Sequence, residues 1–344
     1  MTLLNDFIGV RGRSGSSRGA RLIEEALATG MVRTVSPSTE PASRVARVVN
    51  MLAWDFLRVP LSAARGGERV IVHATNTGGR FPSQRSIVVM HDTMVLDHRR
   101  LFAKVFVAYA RATFDVSARL AEVIVTPSAH SAAQIAKRWP RADIRVIPWP
   151  APPVREAPRS LEHREGFLMV ASGDRHKRVP LAIEVVAELR RDLGQEFPLT
   201  LVLRPGNDSE AIDAAVRRWD PAGSWVRTHQ DVSSAALDHL YDTSLALIVA
   251  SVDEGYCLPA VEASAAGLPV AHTGRGSLNE VAALTVAPSE TLSQDASVLL
   301  TQLKELVINR ESWQASARDG LTLAASRSAS RFRTSWNDLI QEFS

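Results

Sequence analysis

Residues 250–281 read ASVDEGYCLPAVEASAAGLPVAHTGRGSLNEV and carry two glutamates, Glu254 and Glu262, around a Gly255-Tyr256-Cys257-Leu258-Pro259 turn. A strand expected to end at Ser251 delivers the chain to this turn. Pro259 suits the first turn of a helix running toward Gly267. The amides of Gly255, Tyr256, Cys257 and Leu258 precede or open that helix, where unsatisfied N–H groups and the helix dipole attract phosphate. Glu254 stands before the helix and Glu262 eight positions on, about two turns along one face, so one acid can sit beside the anion while the other reaches a different part of the same ligand. An ionised glutamate accepts hydrogen bonds from two hydroxyls, so a ribose diol suits Glu262. Taken singly, a helix cap at Glu254 and a solvent-facing acid at Glu262 are the ordinary readings.

A second group of residues lies in GFLMVASGDRHKRVPLAIEVVAELR, residues 166–190, where a strand is expected to end near Ala171 and a helix to open near Pro180. Lys177 lies in the polar turn between them. A point charge there can neutralise a diphosphate, and the guanidinium of Arg175 can add a forked contact. Earlier in the chain, RSIVVMHDTMVLD places His91 and Asp92 just after a buried strand, where an imidazole can donate to a hydroxyl. Alternatively, the turn is a solvated basic loop and His91 is satisfied by its own neighbours.

The segment EGYCLPAVEASAAGLPV resembles the signature of the family-4 (group 1) retaining glycosyltransferases of the GT-B fold, in which two glutamates separated by seven residues flank a Gly-aromatic-x-Leu-Pro turn. HLYDTSLALIVAS and SLNEV are similar to the stretches that precede and follow it in that family. The resemblance implies that Glu254 meets the transferred sugar, that the amides of Gly255 to Leu258 bind the distal phosphate and sugar hydroxyls, and that Glu262 binds the ribose. Lys177 matches a basic residue of the first strand-loop, with Arg175 as its companion. The family commonly has Lys-Asn or Lys-Gly there, whereas Arg178 follows Lys177, and His176 takes a place where arginine is common. His91-Asp92 is similar to a His-Asp pair whose histidine approaches the donor sugar and the reaction centre, and HATNTGGRFP offers Asn76 as an acceptor contact. SGSSRGARLIEEALA looks like the Gly-rich loop that opens the first helix, with Gly15 and Arg18 at matching places and Ser17 where a second glycine is expected. The similarity covers most of residues 70–290.

The implied reaction is retaining transfer of a sugar from a nucleotide-diphospho-sugar, GDP-mannose or a related sugar, to a hydroxyl of a glycan or lipid-linked saccharide, in surface polysaccharide or glycoconjugate synthesis. No cofactor and no metal are expected, since Lys177 and the helix-terminal amides can stabilise the leaving diphosphate. A sugar phosphorylase or epimerase of the same fold and a catalytically silent partner subunit are the competing classes. Glu254, Lys177 and Glu262 are all present, which counts against the silent subunit.

The elements that must position these residues show in the pattern. ERVIVHATN, RSIVVMHD, AEVIVTPS, ADIRVIPWP, EGFLMVASG, FPLTLVLRPG, LALIVAS and LPVAHTG read as short buried parallel strands, with amphipathic stretches such as 179–194 and 234–244 between them. Strand-helix alternation indicates α/β doubly wound domains, and five prolines within residues 148–160 read as a linker. The expectation is a GT-B architecture: two Rossmann-like domains facing across a cleft, an acceptor domain 1–150 and a nucleotide-sugar domain 151–330, with a C-terminal helix 331–344 packing back on the first domain.

At 344 residues, 45% hydrophobic and 22% charged, the chain has ordinary globular composition. Cys257 is its only cysteine, so it holds no intrachain disulfide or CxxC pair, and a reducing cytoplasm fits. No run approaches a membrane span, and the arginine-bearing N-terminus does not read as a signal peptide. Net charge is +3, yet residues 1–150 carry 21 Lys and Arg against 11 Asp and Glu, while residues 151–344 carry 19 against 26. The basic half is expected to meet an anionic partner, such as a membrane surface at the inner face of the cell membrane or a lipid-linked diphosphate. Nucleic acid is set aside for lack of any interleaved aromatic or known recognition pattern.

Overall fold

The computed structural model describes residues 2–6, 15–27, 32–37 and 44–343, and the chain divides into two units, Met1–Pro150 with Arg327–Ser344, and Ala151–Ser326. The first unit holds strands β1 (Thr2–Asn5), β2 (Val32–Val35), β3 (Val70–His73), β4 (Arg85–Val89), β5 (Val123–Thr126) and β6 (Ile144–Val146), all parallel in the order β2-β1-β3-β4-β5-β6. Its helices are α1 (Gly15–Leu27), α2 (Arg44–Ala53), α3 (Val59–Gly66), α4 (Met94–Asp97), α5 (Lys104–Leu120) and α6 (Ala129–Arg138), with a π-helical turn at Trp54–Arg58 joining α2 to α3. Val-Ile-Val runs at β3 and β5 are wholly buried, as parallel strands covered on both faces must be.

The second unit holds β7 (Phe167–Ser172), β8 (Leu199–Arg204), β9 (Val226–His229), β10 (Ala246–Val249) and β11 (Val270–His272), parallel in the order β11-β10-β7-β8-β9. They alternate with α7 (Val179–Leu193), α8 (Ser209–Trp219), α9 (Ser234–Thr243), α10 (Leu258–Ala265) and α11 (Leu278–Val281), followed by α12 (Asp295–Ile308) and α13 (Arg310–Ala325). Ile183, Val186 and Leu189 of α7 and Leu299, Leu303 and Leu306 of α12 recur at three- and four-residue spacing and pack with Phe167, Leu199, Leu201 and Ile248 of the sheet. Each such side chain, fully buried, contributes about 1.5–3 kcal/mol. Ser233 caps α9 and Asn309 caps α13 by accepting from the amides of the first turn.

The last helix, α14 (Ala329–Phe343), returns to the first unit and packs on α1. Phe332 meets Trp149 edge-on with ring centroids 5.6 Å apart, and Trp336 lies behind it, fully buried.

Strand order fixes where each sheet can receive a ligand. In the second unit the chain leaves β7 toward β8 and β9, then crosses back to β10 and β11, so the connections diverge between β7 and β10. In the first unit they diverge between β1 and β3. Crevices form outside the carboxyl ends of strands at such switch points. Eight of the strands fall where the sequence pattern puts them; β1, β2 and β9 do not show in it. Among the described residues, no helix is long and apolar enough to cross a membrane.

Candidate functional site

At the carboxyl end of β7 the chain turns through Gly173 and Asp174 into a single 3₁₀ turn, Arg175–Lys177, before α7. Close packing of two loops demands the glycines here: a Cβ on Gly206 would stand 2.0 Å from the carbonyl carbon of Gly173. At the carboxyl end of the neighbouring β10, residues 250–257 lead into α10 with Pro259 in its first turn. The two loops are stitched by main chain, the Val252 amide donating to the His176 carbonyl at 2.8 Å. They are stitched again by side chains: Lys177 Nζ lies 2.7 Å from Glu254 Oε1, and Ser251 Oγ donates to the same oxygen at 2.6 Å. Glu254 is buried and Lys177 reaches it from a partly open position. A switch-point crevice between β7 and β10 is thus furnished with an ammonium, a carboxylate and the N-terminus of α10.

Glu262, one turn inside α10, is buried and accepts from the Tyr241 hydroxyl of α9 at 2.7 Å. This corrects the two-turn, one-face argument: Glu254 stands before the helix, which starts only at Leu258, and its side chain goes to Lys177 and Ser251, while that of Glu262 goes to Tyr241. Gly255, Tyr256, Cys257 and Leu258 are all buried in the turn. Cys257 has a left-handed backbone, φ +66°, and burial pushes its thiol well above the usual range, so it is no thiolate nucleophile. Arg175 stands apart from the Lys177–Glu254 pair. Its side chain is 60% exposed with Asp208 as ion partner at 3.6 Å, and its amide donates to Asn207.

Arg178, the departure from Lys-Asn or Lys-Gly, has φ +51° and ψ +48°, a left-handed conformation that glycine and asparagine adopt most readily. Its guanidinium accounts for its presence. Nε donates to the Ala250 carbonyl at 2.6 Å, and one Nη donates to Asp295 at 2.6 Å. Asp295, fully buried at the start of α12, also receives Arg275 at 2.8 Å and 3.1 Å, and Ser289. Burial alone would raise the Asp295 pKa, but the bonds from Arg275, Ser289 and Arg178 outweigh it and hold the carboxyl below its ordinary value. Arg275 sits in the Gly274–Ser277 loop, which packs on Glu254: the Ser277 amide donates to the Glu254 carbonyl at 2.9 Å, and a Cβ on Gly276 would meet Glu254 main chain at 2.4 Å. Asp295 therefore ties the Lys177 loop, the end of β10 and the loop under Glu254 to one helix. No sequence signal marked it, because its partner Arg178 is 117 positions away.

In the first unit, His91 is nearly buried after β4. Its Nε2 is 3.2 Å from the Ala74 carbonyl, its amide donates to Asn76 Oδ1 at 2.7 Å, and burial moves its pKa down to about 4 despite the Ala74 bond. Asn76 thus braces His91. Gly15 opens α1 with nothing near its missing Cβ, whereas Gly19, one turn on, has Trp149 at 3.0 Å and His91 at 3.2 Å. Of the two glycines, only Gly19 is packed closely. Ser14 of that stretch lies outside the described residues.

The first unit's own switch point is filled. Asn5 at the end of β1 donates to Asp55 Oδ1 at 2.9 Å and pairs with His73 Nδ1 of β3 at 3.0 Å, while Thr77 donates to Asp55 Oδ2 at 2.6 Å and Trp54 to Asn5. Burial raises Asp55 to about 6, against the bonds from Thr77 and Asn5, and lowers His73 to about 4. The π-helical turn carries Asp55 into the crevice of the first unit itself.

Residues 153–318 match the family model described as "Glycosyl transferases group 1". An MMP alpha-(1->4)-mannosyltransferase of Mycolicibacterium hassiacum is 29% identical over 167 residues, 48% of this chain and 40% of the relative, so the match spans less than half of that protein's length. Among solved structures, sucrose-phosphate synthase from Thermosynechococcus elongatus superposes with a TM-score of 0.76 at 15% identity over 99% of this chain and 98% of that one. Anabaena HepE, solved with UDP and glucose, gives 0.71 at 13% identity over 99% of each chain. At these identities the likeness shows the fold, which is GT-B.

Proposed function

We propose that the group 1 glycosyltransferase domain of residues 153–318 binds a nucleotide-diphospho-sugar at the β7/β10 switch point and moves the sugar, with retention, to a hydroxyl of a glycan or lipid-linked saccharide. The observation that carries this reading is the Lys177–Glu254 pair at 2.7 Å beside the N-terminus of α10. An ammonium and helix-terminal amides suit a diphosphate, and a carboxylate within reach of it suits the hydroxyls of the attached sugar. Glu262, already accepting one hydroxyl from Tyr241, takes the ribose diol. The HepE structure holds UDP and glucose and the 29%-identical relative is a mannosyltransferase, which suits a nucleotide-sugar donor; GDP-mannose or a related sugar is the donor we propose. The first unit takes the acceptor.

The chemistry follows from the resemblance. The bond from the sugar's anomeric carbon to the diphosphate oxygen breaks with its electron pair leaving on the diphosphate. The acceptor oxygen bonds to that carbon on the same face, and its proton passes to the released phosphate. Lys177 and the amides of Gly255 to Leu258 stabilise the charge on the leaving group, and Glu254 holds the sugar. Transfer proceeds without added metal and survives EDTA. The work takes place at the inner face of the cell membrane, where lipid-linked acceptors lie.

Thermal shift with UDP-, GDP-, dTDP- and ADP-sugars tests the reading. A donor at 100 times its dissociation constant adds about 2.7 kcal/mol to stability. Stabilisation by one nucleotide series, followed by transfer with the anomeric configuration kept, is the expected result. No shift with any of them overturns it, and release of a sugar phosphate from a glycan would favour a phosphorylase instead.

A further inference from the structure

The outward face of α5 has the wrong polarity for a water-facing helix. Tyr109, Ala110, Thr113, Phe114, Ser117 and Ala118 turn inward and are buried. On the opposite side Val105 is 71% exposed, Phe106 45% and Val116 44%, and the residues between them on that side, Ala108 and Ala112, are exposed as well. Positions 105, 108, 112 and 116 recur every three or four residues and make one stripe about 16 Å long. Cations border it. Arg99 and Arg100 in the turn before the helix, and Lys104, Arg111 and Arg119 along it, are all exposed. From His98 to Phe114 the chain contains no aspartate or glutamate, and Asp115 is paired with Arg119 at 3.0 Å.

We infer that this face of α5 docks on an anionic lipid surface, lying in the interface with Val105, Phe106 and Val116 against the acyl boundary and the flanking cations at the headgroups. The charge pattern selects this occupant. A helix that lies in a membrane interface combines an apolar stripe with Lys and Arg along its edges, whose long stems let the charge reach the phosphates while the stripe sinks. The same helix is anchored on its other side by the core of the first unit, so it meets the surface already folded and pays little ordering entropy. The inference is independent of the donor site, since no residue of the second unit enters it.

The test is co-sedimentation of the full chain with phosphatidylcholine vesicles, with and without phosphatidylglycerol, at low ionic strength and at several hundred millimolar salt. The protein is expected to pellet only with anionic vesicles at low salt, screening being nearly complete within about 3–10 Å as salt rises. Lys104→Ala with Arg111→Ala should weaken partitioning about thirtyfold, at about fivefold for each cation. Val105→Asp with Val116→Asp should abolish it. Both pairs should leave the melting temperature and the nucleotide-induced shift unchanged, because these side chains point to solvent. Partitioning unaltered by either pair overturns the inference. So does a concentration-dependent dimer that Val105→Asp with Val116→Asp dissolves, which would assign the stripe to a second copy of the chain.

Discussion

Lys177 and Glu254, 77 positions apart, form an ion pair at 2.7 Å. A diphosphate arriving at Lys177 must therefore share the ammonium with a carboxylate already bound to it. This relationship changes what removal of either residue should do.

Glu254→Gln should cost turnover about 100-fold or more, by loss of the sugar contact, while leaving affinity for free nucleoside diphosphate equal or tighter. The lysine, released from a charge-assisted bond worth about 1.5–3 kcal/mol, becomes fully available to phosphate. Calorimetric titration of the diphosphate beside steady-state turnover checks both halves. A parallel loss of nucleotide affinity would move Glu254 from the sugar to the phosphate.

Glu262→Ala should weaken the whole donor and the free nucleotide alike, by about 10- to 100-fold, because a ribose is common to both. Tyr241→Phe should weaken both by less, on the order of 1 kcal/mol, since it removes only the bond that orients Glu262. Unchanged nucleotide binding in the Glu262 variant would refute the ribose assignment.

Asp295→Asn should destabilise the second unit by about 3 kcal/mol, since two part-buried guanidiniums lose the counter-charge they share. If enough protein folds to assay, the Michaelis constant for donor should rise, because the loops carrying Lys177 and supporting Glu254 lose their common anchor. Urea unfolding and donor kinetics measure the two effects separately.

Acid should loosen the same loop through His272. Its Nδ1 accepts from the Gly274 amide at 3.1 Å and its Nε2 donates to the Leu284 carbonyl at 2.8 Å, an arrangement only the neutral ring can make. Burial lowers its pKa from 6.5 to about 4, against the Leu284 bond. The stability this contributes is complete above pH 6.5 and falls as pH drops toward 4, by about 2 kcal/mol between pH 6.5 and 5. His73 and His91 act in the same direction in the first unit, opposed there by Asp55, whose raised pKa of about 6 favours the folded state in acid. Urea unfolding of the full chain at both pH values should show a smaller acid loss for His272→Gln, by about that amount.

What the sequence revealed and what it hid have physical causes. The strands β3 to β8, β10 and β11 were legible as β-branched runs between turn signals, all but the edge strand β6 largely buried. The edge strands β2 and β9, VRTV and VRTH, interrupt their valines with arginine and threonine and so have no apolar run, and β1, TLLN, lacks a Val or Ile run. Lys177, Glu254 and Glu262 stood out through the resemblance of the segments that carry them, not through spacing alone. Asp295 and Tyr241 did not, since their partners are set by tertiary packing. Arg178 looked like a departure because a left-handed backbone at an arginine has no signature until its guanidinium is seen against Asp295.

The placement of α14 in the first unit has a consequence for synthesis. The second unit is one continuous stretch and can close as soon as it clears the ribosome, but the first is missing residues 327–344 until the whole of the second unit has been made. At about 5–20 residues per second, its first 150 residues wait about 10–40 s for that helix. Through that interval Trp149 lacks Phe332, and the face of α1 that meets α14 is open. The customary order, in which the N-terminal body folds first, is thereby inverted. A nascent chain stalled before residue 327 would present an apolar face on its older half, the kind of surface a holdase chaperone binds.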